Sequence, residues 1–485
     1  MYTVEQQIWH QAKYLPEKLA VKSGKDTATY KELSQRIIAA KQYFQSLPNY
    51  GKGKTVIISA DKQLEFLYAY FGAHLAGLIV APIDSETNPT RFGYIVDVIN
   101  PFCVIGFNNI ETCLPKVSLK CFKSLAIVDD ATDVEFPELD SVADILFTTG
   151  TTGAPKGVPL TYKNEAAAVR NINTYIGNSE EDIELLALPI SHSFGLGRVR
   201  CCLSNGQTVH LLGSFVNVKR LFRALEEENI TGFSMVPASW KFLQKMSGNR
   251  LGAFANQLKY IEMGSAFFSE SDKKELAELL PNTKIVMHYG LTEASRSAFL
   301  EFHTDSTKLA TVGKASPFTD IQVYDEHGYQ LPQGQEGELC IKGDHVSLGY
   351  LNMPKDDTFY GSNKDYFRTG DSGSIDKDGY ITLKARIKEL INVGGKKVAP
   401  TEVDEQILSI SGVLDCACVA MKDPENVLGE VVKAYVVRKD NSVTSEYISE
   451  SLKGKLESYK IPVLYEWINA IPKTTNGKIQ RNILK

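Results

Sequence analysis

Directly after the apolar run ADILF, residues Thr148–Gly157 read TTGTTGAPKG. Four threonines, three glycines and one lysine in ten residues suit a polyphosphate. Glycines let backbone N–H groups approach an anion, hydroxyls donate further hydrogen bonds, and Lys156 supplies positive charge. Thr148, Thr149, Gly150, Thr151, Thr152, Gly153 and Lys156 are therefore candidate phosphate contacts. The segment is not a P-loop: Pro155 precedes the lysine and Gly157 follows it, so GxxxxGK[ST] is absent.

Three further clusters carry chemistry of the same kind. In MHYGLTE, Met287–Glu293, Tyr289 can stack on a purine, Thr292 can hydrogen-bond a phosphate, and Glu293 can hold Mg²⁺ beside phosphate oxygens. In FRTGD, Phe367–Asp371, the Asp371 carboxylate can accept both hydroxyls of a ribose, with Arg386 following to reach ribose or phosphate. In PKTTNGKIQR, Pro472–Arg481, Asn476–Gly477 signals a tight turn that would present Lys478. Taken singly, each of these three fits a plain turn or a basic tail equally well.

The elements that must position these residues alternate. Short β-branched runs at 55–60, 103–107, 124–130 and 143–147 predict strands, and the runs ELLALP, TVHLL, GFSMVP, KYIEM and KIVMHY predict more. Helix-period segments lie between them: the Phe66 run, Leu160–Tyr175, VKRLFRALEEE and ESDKKELAELL. Alternation of this kind predicts an α/β protein, a large N-terminal domain of parallel-rich sheets covered by helices. From Thr311 to about Lys384 turns at Glu326–Gly328, Gly334–Gly337 and Asp376–Gly379 predict a β-rich subdomain. A small α+β domain follows, with helices expected at 400–409 and 445–459 and strands near 415–421 and 431–437. The expected division is 1–387, including the β-rich subdomain at about 311–387, and 388–485.

Composition narrows the function classes. With 485 residues, a hydrophobic fraction of 43% and a charged fraction of 23%, the chain reads as globular rather than disordered. A net charge of -5 disfavours binding to nucleic acid through whole-chain charge. The eight cysteines form no CxxC pair and no zinc-ligand spacing, which fits a reducing compartment. The N-terminal residues lack a secretory pattern, and the apolar stretch at 66–83 carries His74 and ends near a proline. A cytoplasmic protein without a membrane span is expected.

Together the four clusters, joined by ARIKELINVGGKKVAPTEVD, resemble the ordered core motifs of the ANL superfamily of adenylate-forming enzymes, which comprises acyl-CoA synthetases, nonribosomal-peptide adenylation domains and beetle luciferases. The resemblance spans nearly the whole chain. It implies two half-reactions: a carboxylate attacks the α-phosphate of Mg-ATP to give acyl-adenylate and pyrophosphate, and a thiol then displaces AMP. By resemblance the loop 148–157 cradles pyrophosphate, Glu293 helps hold Mg²⁺, and Tyr289 stacks on adenine. The adenine edge would lie near Gly264, Ser265 and Ala266, with His288 and Gly290 grouped beside Tyr289. Thr292 contacts the α-phosphate, Asp371 and Arg386 take the ribose, and Lys478 reaches the carboxylate and α-phosphate from a mobile lid. Lys388 occupies the hinge position, and Val393, Gly394 and Gly395 would let a pantetheine arm pass. Two departures stand out: Ala385–Arg386 replaces the usual Gly-Arg, and Lys396–Lys397 follow the hinge.

His192, in LPISHSFGLGRV, matches the family histidine at the mouth of the acid pocket, and this segment lacks the aspartate of amino-acid-activating members. Expected pocket walls are His192, Phe194, Gly195, Val236, Pro237, Ser239, Met263, Gly290 and Ala294. Arg198 or Arg296 could meet a second carboxylate, a reading the sequence does not favour. The resemblance thus implies an AMP-forming ligase joining a non-amino acyl or aryl acid to CoA. An acyl-AMP ligase that loads the phosphopantetheine of an acyl carrier protein, or a non-catalytic nucleotide sensor, remain as alternatives.

Overall fold

The computed structural model describes residues 1–107, 110–127, 134–148, 155–424, 428–474 and 477–484. It divides into two compact units. One takes the chain up to Asp320 and the segment Ile341–Phe359; the other takes Ile321–Cys340 and the chain from Tyr360 onward.

The first unit contains two sheets, and one of them orders the site. Strands Ile183–Leu186, Gly232–Met235, Tyr260–Met263 and Lys284–Leu291 lie side by side and parallel. Residues 232–235 and 260–263 are buried along their whole length, as expected of parallel strands covered on both faces. Helix Ser193–Ser204, strand Thr208–Leu211 and helix Val218–Glu227 lie between the first pair on that path, Pro237–Ser247 and a 3₁₀ turn between the second, and Glu270–Leu279 between the third. Antiparallel strand Ala294–Glu301 pairs with Lys284–Leu291 and closes this side of the parallel run.

The second sheet has strands Thr55–Ser59, Ile79–Ile83, Cys103–Ile105 and Val142–Thr148, parallel as expected. Two expectations need correction here. The chain from Lys156 to Thr161 is an antiparallel edge strand on Val142–Thr148, so the helix starts at Tyr162 instead of Leu160. An edge strand tolerates Pro159, which donates nothing to the ladder. Thr161 caps the helix by accepting from Asn164 N, with Asn164 reciprocating in a capping box. At 124–130, Cys121–Ser124 forms a short helix and Leu125–Ile127 no strand; the rest of that run lies outside the described residues.

In the second unit, strands Tyr366–Ile375 and Ile381–Arg386 pair antiparallel. Beyond them lie the hairpin Ile391–Val393/Lys396–Val398, helix Pro400–Leu408, the long antiparallel pair Val413–Lys422/Glu430–Arg438, and helix Ser445–Leu452. This last helix stops seven residues earlier than its period predicts, with Gly454 at φ +81 just past the Lys453 cap. Arg481 binds this unit together: its guanidinium donates to Asp404 at 2.6 Å, Glu389 at 3.2 Å and the Cys418 carbonyl at 3.2 Å.

Candidate active site

The four parallel strands of the site sheet all point the same way, so their C-terminal ends lie on one side, the usual ligand position in open α/β sheets. Each strand end leads into residues that the sequence singles out. After Ile183–Leu186 come residues 187–192, ending at His192, the N-cap of helix Ser193–Ser204. After Gly232–Met235 come Val236, Pro237 and Ser239, opening helix Pro237–Ser247. After Met263, fully buried, come Gly264, Ser265 and Ala266, with Ser265 in the left-handed region at φ +72. His288, Tyr289, Gly290, Thr292 and Glu293 close the series. The fold brings these residues, expected at an acid pocket and a nucleotide, to the same end of the parallel strands.

The hairpin that carries Thr292 and Glu293 has an unusual shape. Leu291 pairs with Ala294, putting Thr292 and Glu293 at its tip, while Tyr289 already pairs with Ala298. Ser295–Ser297 therefore bulges opposite Gly290 alone, and Arg296 sits at φ +54. A Cβ on Gly290 would come within 2.5 Å of the Arg296 nitrogen, so the bulge needs glycine there. The Ser347 amide donates to the Glu293 carbonyl at 2.8 Å and braces the tip. Glu293 is 5% exposed, and its carboxylate bonds to none of the described residues. A buried carboxylate at such a tip fits a hard divalent cation.

Behind the tip lies a charge network that the sequence reading missed. Glu262 and Glu184 are both fully buried in strand positions between apolar neighbours, and that interruption was the available signal. Arg296 donates through Nε to Glu262 at 3.0 Å and through its Nη atoms to the carbonyls of Ser193 at 2.9 Å and Phe194 at 2.8 Å. Arg198 pairs with Glu184, its Nε donating at 2.8 Å, and Tyr260 donates to the same carboxylate at 2.6 Å. Burial opposes ionisation of Glu262, but Arg296 and His288 outweigh it and hold the carboxyl below its usual range. Both arginines are thus committed to carboxylates of the protein.

The His288 imidazole stands edge-on to Phe194, with ring centroids 4.6 Å apart, and its Nδ1 lies 2.7 Å from Glu262 Oε1. The same ring fills the place a side chain at 264 would take: a Cβ on Gly264 would sit 2.1 Å from it.

Thr148 and Lys156 face each other at the end of their antiparallel pair, and the Lys156 ammonium lies 4.3 Å from the centroid of the Tyr350 ring. Thr149, Gly150, Thr151, Thr152 and Gly153 lie outside the described residues.

The second unit holds the other sequence-selected groups. Asp371 and Arg386 pair across their strands, Arg386 Nε lying 2.9 Å from Asp371 Oδ1 while Nη1 donates to the Thr369 carbonyl at 2.7 Å. Lys388 is exposed in the 3₁₀ turn Ile387–Glu389. Gly394 and Gly395 form the two-residue loop of their hairpin, both at positive φ, as a type I′ turn requires; Val393 beside them is buried. Lys478 is exposed just after Gly477, with its amide donating to Thr474 Oγ1 at 3.1 Å.

A parallel-sheet body with purine-, phosphate- and acid-type side chains at its strand ends, followed by a small α+β unit, is the architecture of an adenylate-forming enzyme. The model of the AMP-binding enzyme family matches residues 8–351, and that of the AMP-binding enzyme C-terminal domain matches residues 402–478. The chain belongs to the AMP-binding enzyme family, and it is a ligase. It is 30% identical to the 2-succinylbenzoate–CoA ligase of Staphylococcus epidermidis over 99% of this chain and 97% of that protein. It is 29% identical to 4-coumarate–CoA ligase 1 of Narcissus pseudonarcissus over 95% and 88%. Its fold matches ATP-bound MatB of Rhodopseudomonas palustris with a TM-score of 0.89 and 24% identity, covering 100% of this chain and 98% of that one. No helix among the described residues is long and apolar enough to cross a membrane.

Proposed function

We propose that this chain is a cytoplasmic AMP-forming carboxylic acid:CoA ligase for a non-amino acyl or aryl acid. The observation that carries the proposal is the gathering of His192, Phe194, Tyr289, Thr292 and Glu293 at the ends of four parallel strands, with no acidic group among the expected acid-pocket residues to pair an α-ammonium. The substrate carboxylate would attack the α-phosphorus of ATP, the bond to pyrophosphate breaking as the acyl-adenylate forms. Attack by one anion on another calls for positioning and charge neutralisation more than covalent help. In this reading Thr148–Gly157 and Lys156 hold the pyrophosphate, Thr292 donates to the α-phosphate, and Tyr289 stacks on adenine near Gly264–Ala266. Asp371 and Arg386 hold the ribose. Glu293 would hold Mg²⁺, which supplies charge neutralisation on the phosphates when bound. Lys478 reaches the carboxylate and α-phosphate oxygens.

The lid in this proposal begins at Lys388 and runs to 485, the body spanning 1–387. Turning about Lys388 would exchange Lys478 for the face at Val393–Gly395, past which the CoA pantetheine would pass before its thiol attacks the acyl carbon and AMP leaves. The names of the relatives, which are CoA ligases, favour free CoA over an acyl carrier protein.

The test is ATP–pyrophosphate exchange across a panel of carboxylic acids, followed by thioester formation with CoA and with holo acyl carrier protein side by side. Acid-dependent exchange and preference for CoA are expected. Silence across the panel from folded protein would leave a nucleotide sensor, and thioester on the carrier alone would assign the second acceptor.

A further inference from the structure

Residues 344–351 bond in turn to three parts of the first unit. Asn164, in the first turn of helix Tyr162–Ile176, donates through Nδ2 to the carbonyls of Asp344 and Val346, both at 2.8 Å. Val346 bridges Ala294 antiparallel, and the Ser347 amide donates to the Glu293 carbonyl at 2.8 Å. Gly349, at φ +104, then turns the chain. Beyond it the Tyr350 ring lies 4.3 Å from the Lys156 ammonium, and the Leu351 amide donates to the Gly157 carbonyl at 2.9 Å.

The buried end of this segment adds a directional contact. Ser297 Oγ donates its one proton to the Ala294 carbonyl at 3.0 Å, so in its 2.9 Å contact with His345 Nε2 it accepts. His345, 2% exposed, thus donates into the bulge beside the Thr292–Glu293 tip. Glu293 and Lys156 sit on different sheets: Lys156 on the antiparallel edge strand of the six-stranded sheet, Glu293 on a hairpin of the nine-stranded one. Two groups mounted separately need a common fastening if they are to meet one polyphosphate in fixed geometry. Residues 344–351 touch both mounts.

We propose that residues 344–351 form a brace in which His345 and Tyr350 are positioning residues, setting Glu293 and Lys156 for the pyrophosphate end of Mg-ATP. This inference rests on the placement of those two groups at the phosphates in the ligase reading above.

The experiment titrates the full chain with Mg-ATP and with AMP in a calorimeter. AMP lacks the pyrophosphate end, so it reports general damage to the nucleotide site. Tyr350→Leu should weaken Mg-ATP by roughly 5- to 10-fold and leave AMP within about 2-fold, whereas Tyr350→Phe, which keeps the ring face, should retain most of the affinity. His345→Leu should weaken Mg-ATP by a similar factor of roughly 5- to 10-fold and raise the Mg²⁺ needed for half-maximal binding, and His345→Gln, which keeps a donor, should recover part of the loss. Tyr350 is half-buried, so its variants decide the matter even where His345→Leu does not fold. Unchanged Mg-ATP affinity in Tyr350→Leu overturns the proposal, and so do equal losses of Mg-ATP and AMP or equal losses in the leucine and phenylalanine variants. The predicted split between Mg-ATP and AMP, found in a protein that shows no acid-dependent exchange, would overturn the ligase reading and leave the brace standing. Absence of binding of either nucleotide by the folded, unaltered protein overturns both.

Discussion

Arg296 donates through Nε to Glu262 at 3.0 Å while its own backbone is held in the left-handed region at φ +54. The same guanidinium donates to the carbonyls of Ser193 and Phe194. One side chain thereby fixes three things: the bulge that aims Thr292 and Glu293, the carboxylate behind His288, and the first turn of the helix capped by His192. Left-handed backbone in a bulky residue costs on the order of 1 kcal/mol, and it persists only where surrounding bonds determine it.

Replacing Arg296 separates positioning from packing. Arg296→Gly removes the fork yet relieves the backbone strain; breaking the buried pair should still lower stability by roughly 3 kcal/mol. Arg296→Lys keeps the charge but cannot reach three acceptors from a planar fork. Denaturant unfolding should therefore show the glycine variant weaker than the lysine variant. Acid-dependent exchange should nevertheless fall at least about 10-fold in both, through kcat and the acid KM, with the ATP KM moving less. Exchange that tracks stability across the two variants would reduce Arg296 to a structural role.

Lys478 and Lys388 test the two halves of the proposed cycle. Lys478→Ala removes a charge from adenylation only, so exchange should fall by roughly 10²- to 10³-fold while supplied acyl-adenylate is still converted to thioester. Lys388→Pro, which restricts the backbone at the proposed hinge, should spare exchange and block thioester formation. Assays of both steps on both variants should give opposite patterns. Equal losses would contradict the lid reading.

Many of the residues assigned roles in the proposal could be marked from the sequence because they are local in it. Tyr289, Thr292 and Glu293 fall within five residues, and Asp371 and Arg386 within one hairpin, so residue type and turn signals suffice to mark them. The strand ends were legible as well, since parallel strands buried on both faces read as continuous apolar runs. The Glu262–Arg296–Ser193 network was not, because its partners are separated by 34 and 103 residues and nothing in a window around any of them reveals the others. Lys156–Thr161 was misread for a different reason: Pro159 disguises a strand that is viable only at a sheet edge. Gly394–Gly395 shows the reverse hazard, since the I′ turn alone accounts for both glycines.

Gly264→Ala offers a direct probe of how tightly His288 is held. The added methyl would overlap the imidazole at 2.1 Å, closer than any real contact, so the ring must leave Glu262 or the strand end must shift. The acid KM should rise by roughly 10-fold or more, and the His288→Ala/Gly264→Ala double variant should recover part of the loss by vacating the space. Crystals or NMR shifts of the ring would show the displacement. An unchanged acid KM in the single variant would mean that the ring has no part in the pocket.

A second buried histidine gives the fold's stability a pH dependence that can be tested. His74 is fully buried, with Nδ1 2.8 Å from Glu5 and Nε2 3.1 Å from Asp144. Burial alone would favour the neutral ring, but the bonds to Asp144 and Glu5 outweigh it and raise the pKa to about 10. The folded state therefore keeps a proton that the unfolded chain gives up near pH 6.5. The contribution to stability is fully present below about pH 6.5 and is lost as pH rises toward 10, with a slope of at most about 1.4 kcal/mol per pH unit from this group. Urea unfolding between pH 6 and 10 should show that decline. His74→Gln should be less stable at pH 6, because Glu5 loses its cation and Asp144 keeps only Arg200, yet nearly flat across the window. A decline of equal steepness in His74→Gln would assign the pH dependence to other groups.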